Sequence, residues 1–208
     1  MRNFHIRFFG LMATGVFAGF KGTHDSVESP RHEIFNGYKV APLTIRGSIA
    51  SDGVEMTFQG TIQEIYKEIL GIRPDFSWDQ FQPSMRGRSK PLGKRYDYID
   101  HVLCHVQGLP PASKSGINSN SQNLNNLATD LTSDSHSCTQ VSCLEKTAIW
   151  FCNDNNWYIE KNSIELADQV NSILENSNCG TSGNDDLIQA QAFLTGDWNI
   201  IINGDDKC

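Results

Sequence analysis

The chain has no cysteine before residue 104 and no apolar run of the roughly 18 to 20 residues that a membrane span needs; a shorter one lies at the extreme N-terminus. It has no surplus of basic residues. The formal charge is −7 and the pI near 5.3, which argues against nucleic-acid binding, because that function leaves a basic footprint. No Asn-x-Ser/Thr sequon occurs, so N-glycosylation is not expected. There is no Gly-x-Ser-x-Gly elbow, no P-loop and no EF-hand loop, which removes the sequence support for three common chemistries. Apolar residues, at 38%, and aromatic residues, at 10%, are too plentiful for a disordered chain. The 208 residues suit one or two small domains.

Arg2 and Arg7 precede the apolar stretch from Phe8 to Ala18. A charged start followed by about a dozen apolar residues has the layout of a secretory signal. Val16 and Ala18 are small enough for the −3 and −1 positions, so cleavage is expected after Ala18. The alternative is a buried N-terminal helix. The expected destination is extracellular, with no stable insertion in a membrane.

Charge and cysteine change at one place. Residues 1–95 carry 13 Lys/Arg against 9 Asp/Glu, a net of +4. Residues 96–208 carry 4 against 15, a net of −11, together with all six cysteines. At the seam stands Lys94-Arg95, approached through the basic, Gly/Pro/Ser-containing run 85–93. An open, dibasic linker in an exported chain has the form of a kexin-type processing site. The expected precursor is a signal (1–18), a pro-region (19–95) and a mature domain (96–208). The alternative is a solvated linker that is never cut.

In the pro-region, Tyr38 to Ile49 and Val54 to Phe58 read as strands around Asp52-Gly53. Thr61 and Glu64 have capping-box spacing, and Ile62, Ile65, Tyr66, Ile69 and Leu70 fall on one helical face before Gly71 and Pro74. This ββα unit is expected to assist folding or to shield the acidic mature domain through opposite charge; the alternative is a subdomain kept for good. In the mature segment, strands are expected over 98–106, 147–152, 190–194 and 198–202, with helices from about Ala112 and after a Ser163 cap. The stretch from Thr129 to Cys138 reads as loop, as does Gly183 to Asp186. The order β-α-β-α-β-β predicts an α+β fold, a small two-layer sandwich.

Cys104, Cys138, Cys143, Cys152, Cys179 and Cys208 in an exported segment point to three disulfides, with all 15 pairings open. Zinc is the rival, with His101 and His105 beside Cys104, but no Cys-x2-Cys pair supports it. No metal or other cofactor is expected. Of the three histidines in the mature segment, His101, His105 and His136, the last sits in Asp134-Ser135-His136-Ser137, beside acid and nucleophile types. Burial against Asp130 or Asp134 would favour a hydrolase; exposure would count against it. Asp185-Asp186 and Asp205-Asp206 read as solvated surface charge, and Trp150, Trp157 and Trp198 as core packing. No catalytic residue is assigned.

Several fragments together resemble small secreted cysteine-rich proteins of filamentous fungi, counted among candidate effectors. They are Ala41-Pro42-Leu43-Thr44, Gly60-Thr61-Ile62-Gln63-Glu64-Ile65, Cys138 to Cys143, Ala148 to Asp154, the helix leading to Cys179, Gln191-Ala192-Phe193, and Trp198 to Ile202 with Cys208. The Ser/Asn-rich stretch 113–136 departs from the pattern. The precursor plan is similar to that of fungal killer toxins. The resemblance implies a secreted protein acting by binding a host or competitor protein or surface component, with no catalytic residues. A killer-toxin-like antimicrobial protein and a secreted hydrolase are the alternatives; the −11 of the mature segment opposes attraction to anionic lipid.

Overall fold

The structure is a computed structural model, and it describes residues 35, 37–50, 53–83, 97–106, 108–181 and 184–208. Ala18, Lys94 and Arg95 lie outside the described residues, so the signal and the processing site have no structural account.

The N-terminal segment contributes β1 (Lys39–Pro42), β2 (Thr44–Ser48), β3 (Met56–Gln59), helix α1 (Ile62–Ile72), a 3₁₀ turn (Trp78–Gln80) and β4 (Gln82–Pro83). The expected single strand from Tyr38 to Ile49 is interrupted at Leu43, where the chain leaves one sheet for another. Helix α1 starts as its sequence predicts. The Thr61 hydroxyl accepts from the Glu64 amide, and the Glu64 carboxylate accepts from the Thr61 amide at 2.7 Å. Gly60 has φ +133°, a region that only glycine enters freely, and an added Cβ would meet the Glu64 carboxylate at 2.8 Å.

The second segment continues with β5 (Ile99–Cys104), β6 (Ala112–Ser113), α2 (Lys114–Leu127), β7 (Asp130–Ser133), β8 (Ser137–Leu144), β9 (Thr147–Asn153), β10 (Ile159–Asn162), α3 (Ser163–Leu174), a 3₁₀ turn (Ser177–Cys179), β11 (Gly180–Thr181), β12 (Asn184–Ile188), β13 (Ala190–Leu194) and β14 (Trp198–Gly204). Six strands form the main sheet in the order β1-β8-β9-β14-β13-β5. β1 pairs with β8 in parallel; every other pairing in that sheet is antiparallel. Smaller sheets are β10-β7, β11-β12-β6 and β3-β2-β4.

The core follows strand parity. Ile149 and Phe151 of β9, with Trp198, Ile200 and Ile202 of β14, point toward Ile117 and Leu124 of α2 and Leu166, Val170 and Ile173 of α3. Ala148, Trp150, Cys152 and Ile201 point the other way, into a second cluster with Phe35, Leu109 and Cys138. Both faces of the central strands are therefore buried. Leu43, Ile45, Phe58, Ile62, Ile65 and Ile69 belong to the same apolar cluster as the two helices of the second segment.

The α+β class with three disulfides holds, but two expected loops are strands. Thr129 to Cys138 contains β7 and the start of β8, and Asn184 opens β12. Polar residues are buried there because they find partners: the Ser133 hydroxyl donates to the Ser137 carbonyl at 3.2 Å. The cap of α3 is Asn162, whose side-chain oxygen accepts from the Ile164 amide; Ser163 is the first helical residue and its hydroxyl accepts from the Thr129 amide.

Candidate binding cleft

All six cysteines are paired: Cys104–Cys179, Cys138–Cys152 and Cys143–Cys208. The first ties the end of edge strand β5 to the turn after α3, the second joins facing residues of β8 and β9, and the third fixes the chain terminus to β8. With every thiol oxidised, the zinc reading loses its sulfur ligands. Among the described residues, no group of three His, Cys, Asp or Glu is placed to hold a metal. Three disulfides fit an oxidising, extracellular-type environment. Among the described residues no helix is long and apolar enough to cross a membrane.

A cleft of about 420 Å³ opens where the two segments meet. One wall is the outer face of β2 and β3, carrying Thr44, Arg46, Thr57 and Gln59. The facing wall is the β7-β10 ribbon, carrying Asp130, Thr132, Tyr158 and Glu160, with Asp134 just beyond β7. Ala41, Pro42 and Thr139 lie between them. Strand alternation explains the chemistry. Ile45 and Phe58 turn inward to the core, which leaves their polar neighbours Thr44, Arg46, Thr57 and Gln59 to face the cleft. The volume is in the roughly 300–1,000 Å³ range of small-ligand sites. The lining is polar: hydroxyls, an amide, a phenol, three carboxylates and one guanidinium. Gln59 Nε2 donates to Thr44 Oγ1 at 3.3 Å, so the two walls do not close on each other through that pair.

Two exposed aromatic residues belong to this region: Tyr158 in the cleft lining and Trp157 directly before it in the chain. Trp157 and Tyr158 are 63% and 60% exposed, against 2% for Trp150 and 0% for Trp198. Trp157 is thus not the core residue its type suggests. The loop that carries it hangs on Asn153, which is fully buried at the end of β9. Asn153 Nδ2 donates to the carbonyls of Ser133, Asp134 and Trp157 at 3.1, 2.9 and 2.7 Å. Its Oδ1 accepts from the Asn155 amide, and Asn155 Nδ2 donates in turn to the carbonyls of Gly196 and Asp197. The Asn153 to Asn156 stretch is a hydrogen-bonded plug that leads into two exposed aromatic residues.

Other polar groups are built into the frame. The Tyr38 hydroxyl donates to Asp154 and accepts from Asn199 Nδ2 at 3.0 Å. Burial, with the Asp154 carboxylate beside it, pushes the Tyr38 phenol up to about 12. Asp97, barely exposed, bonds the Lys161 ammonium and accepts from Trp198 Nε1 at 2.8 Å. Lys161 lies 5.1 Å from the centroid of the Trp198 ring.

The histidines do not converge. His136 is exposed, and its Nε2 pairs with Asn156 Oδ1 at 2.8 Å. Asp134 lines the cleft while His136 makes no carboxylate contact, so the triad-like grouping of 134–137 does not assemble. His101 pairs with Asp100 and stacks on Phe193 with centroids 4.6 Å apart; His105 bonds the Asn178 carbonyl. Asp205 accepts from Gln140 Nε2, and Asp206 lies 3.9 Å from Lys146. The cleft residues are not legible as a set because they come from seven strands, β1 to β4, β7, β8 and β10, spread over the chain. The one available signal was a Trp-Tyr pair directly after an Asn-rich turn. No family model matches this chain, and neither does any curated protein or solved structure.

Proposed function

We propose that this is a secreted, disulfide-braced binding protein of fungal effector or virulence type that holds a carbohydrate of a host or competitor surface. The observation carrying this reading is the exposed Tyr158 in the lining of a polar cleft, with exposed Trp157 directly before it on a backbone tied to Asn153. A sugar offers hydroxyls around its edge and a flat C–H face. Carboxylates, the Gln59 amide, Arg46 and threonine hydroxyls suit the edge. An exposed aromatic ring suits the face, because it offers a flat apolar surface and has only two side-chain torsions to lose on binding. Carboxylates and a guanidinium are both present, which favours a neutral polyol over a strongly charged ligand. Binding is preferred to hydrolysis because His136, whose burial against Asp130 or Asp134 would have favoured a hydrolase, is exposed and paired with the Asn156 amide.

The test is affinity electrophoresis of the exported protein through gels containing soluble plant or fungal wall polysaccharides, followed by a glycan array. At least one polysaccharide should retard the protein. Trp157→Ala with Tyr158→Ala should abolish the retardation. Free migration on every polysaccharide, or retardation that survives the double substitution, would overturn the carbohydrate reading.

A further inference from the structure

Residues 35–83 contain no cysteine, so no disulfide ties them to residues 97–208. Their non-covalent attachment is nonetheless extensive, because the segment wraps one edge of the main sheet. At the edge itself, β1 pairs with β8 over four residues, from Lys39 opposite Ser137 to Pro42 opposite Gln140. On one face, the Phe35 ring lies 4.5 Å from Trp150, and Tyr38 bonds Asp154 and Asn199. On the other face, α1 packs against β8 and α2, and β2 packs against β7. Gln63 crosses this seam with three bonds: Nε2 to Ser142 Oγ at 2.6 Å and to Asn120 Oδ1 at 3.3 Å, and Oε1 from the Cys143 amide at 3.0 Å. Asn120 and Ser142 are fully buried and bond each other, so Gln63 joins a network closed to solvent and is the side-chain partner of the Cys143 amide.

The attachment is not electrostatic in origin. The +4 of residues 1–95 is concentrated outside residues 35–83: these carry 4 Lys/Arg against 6 Asp/Glu, whereas 84–95 carry 5 Lys/Arg and no acid. Two acidic bodies are held together by apolar burial and hydrogen bonds. This has the composition of an obligate interface, a core divided by a seam. The second segment is anchored just past the linker by Asp97, through Lys161 and Trp198.

We propose that the exported protein is a two-chain, non-covalent complex. Cutting after Arg95 opens the backbone and leaves residues 35–83 bound as a permanent second subunit. Shedding them would remove a wall of the cleft, uncover Trp150 and open the β8 edge to aggregation. The inference rests on the seam and the dibasic linker, and is independent of which ligand the cleft takes.

The experiment is export of the full precursor from a fungal host with a kexin-type protease, purified without denaturant. Native mass spectrometry should give one mass equal to two chains, the larger starting at Tyr96. A denaturing gel without reductant should separate them, and 1 M NaCl should not, since charge does not hold the seam. Recovery of the 96–208 chain alone, or of the uncut precursor alone, would overturn the proposal. As a second measurement, a site-specific protease sequence replaces 86–93 in the full chain and is cut in vitro. The segments should co-elute on gel filtration, and release on cutting would overturn the proposal. Gln63→Ala should raise release on dilution by about tenfold.

Discussion

Asn153 has no solvent exposure, and its single amide serves three carbonyls and two donors of the Asn155 side chain and backbone. Replacing it with alanine leaves those buried groups unpaired and frees the turn before the aromatic pair. Asn153→Ala should cost about 3 kcal/mol in urea unfolding. It should also weaken carbohydrate retention with Trp157 and Tyr158 still present, because a mobile rim must be ordered on binding. The converse holds at the rim. Trp157→Ala and Tyr158→Ala should each change stability by less than about 0.5 kcal/mol, since both side chains are mostly in solvent. Tyr38 supplies a pH test. Its phenol titrates near 12 in the folded chain, above its ordinary value of 10. The folded state therefore holds that proton more tightly than the unfolded state does. Its contribution is complete below pH 10 and is lost as pH rises from 10 through 12. Unfolding midpoints should fall over that window, and Tyr38→Phe should flatten the fall. No free thiol is present to shuffle disulfides meanwhile. Little of this was legible in advance. Strand parity sends Trp150 and Trp198 inward, but Trp157 lies in a turn, where alternation carries no information.

Among the elements, those with strong local signals were legible. The Thr61/Glu64 capping box and the Ile62, Ile65, Ile69 spacing define α1, and the strands expected over 190–194 and 198–202 are β13 and β14, joined by Thr195-Gly196-Asp197. Helix α2 was harder, because eight of its fourteen residues are Ser or Asn. It is held by packing of Ile117, Leu124 and Leu127 and by tertiary bonds: Asn120 Nδ2 to Thr147 Oγ1 at 2.6 Å, and Ser121 Oγ to Asn171 Oδ1 at 2.9 Å. β7 was invisible for the same reason, since its buried serine is satisfied by residues that only the fold brings near. The small sheet that walls the cleft has its own weak point. Gly47 sits where β2 meets β4, opposite Pro83. A Cβ there would fall 2.4 Å from the Gln82 carbonyl and 2.6 Å from the Phe81 ring. The carbonyl is backbone and cannot swing aside, so β4 must move. Gly47→Ala should lower stability by about 1–3 kcal/mol, read as a shift in the urea midpoint at unchanged slope.

For the whole molecule, the placement of the cross-links divides the labour between covalent and non-covalent forces. None of the three disulfides reaches residues 35–83; all of them brace the second segment. They hold its vulnerable parts, namely edge strand β5, the β8-β9 pair next to the seam and the C-terminus. That the six cysteines form a disulfide framework was legible from their positions alone. The pairing was not, because it depends on which strands lie side by side. Loop lengths now rank the bridges. Cys104–Cys179 and Cys143–Cys208 span 75 and 65 residues, and Cys138–Cys152 only 14. Restriction of the unfolded chain gives about 4.4 kcal/mol for each long bridge and about 3 kcal/mol for the short one. Each pair should be replaced by two alanines, so that no lone thiol remains to exchange. Chemical unfolding should then show the 138/152 variant as the least affected of the three. The 104/179 variant should lose the most, because it also frees β5, which has only β13 as a neighbour in the main sheet. A larger loss at 138/152 would mean that its folded-state packing against Trp150 and Ile201, rather than the unfolded chain, sets the value of that bridge.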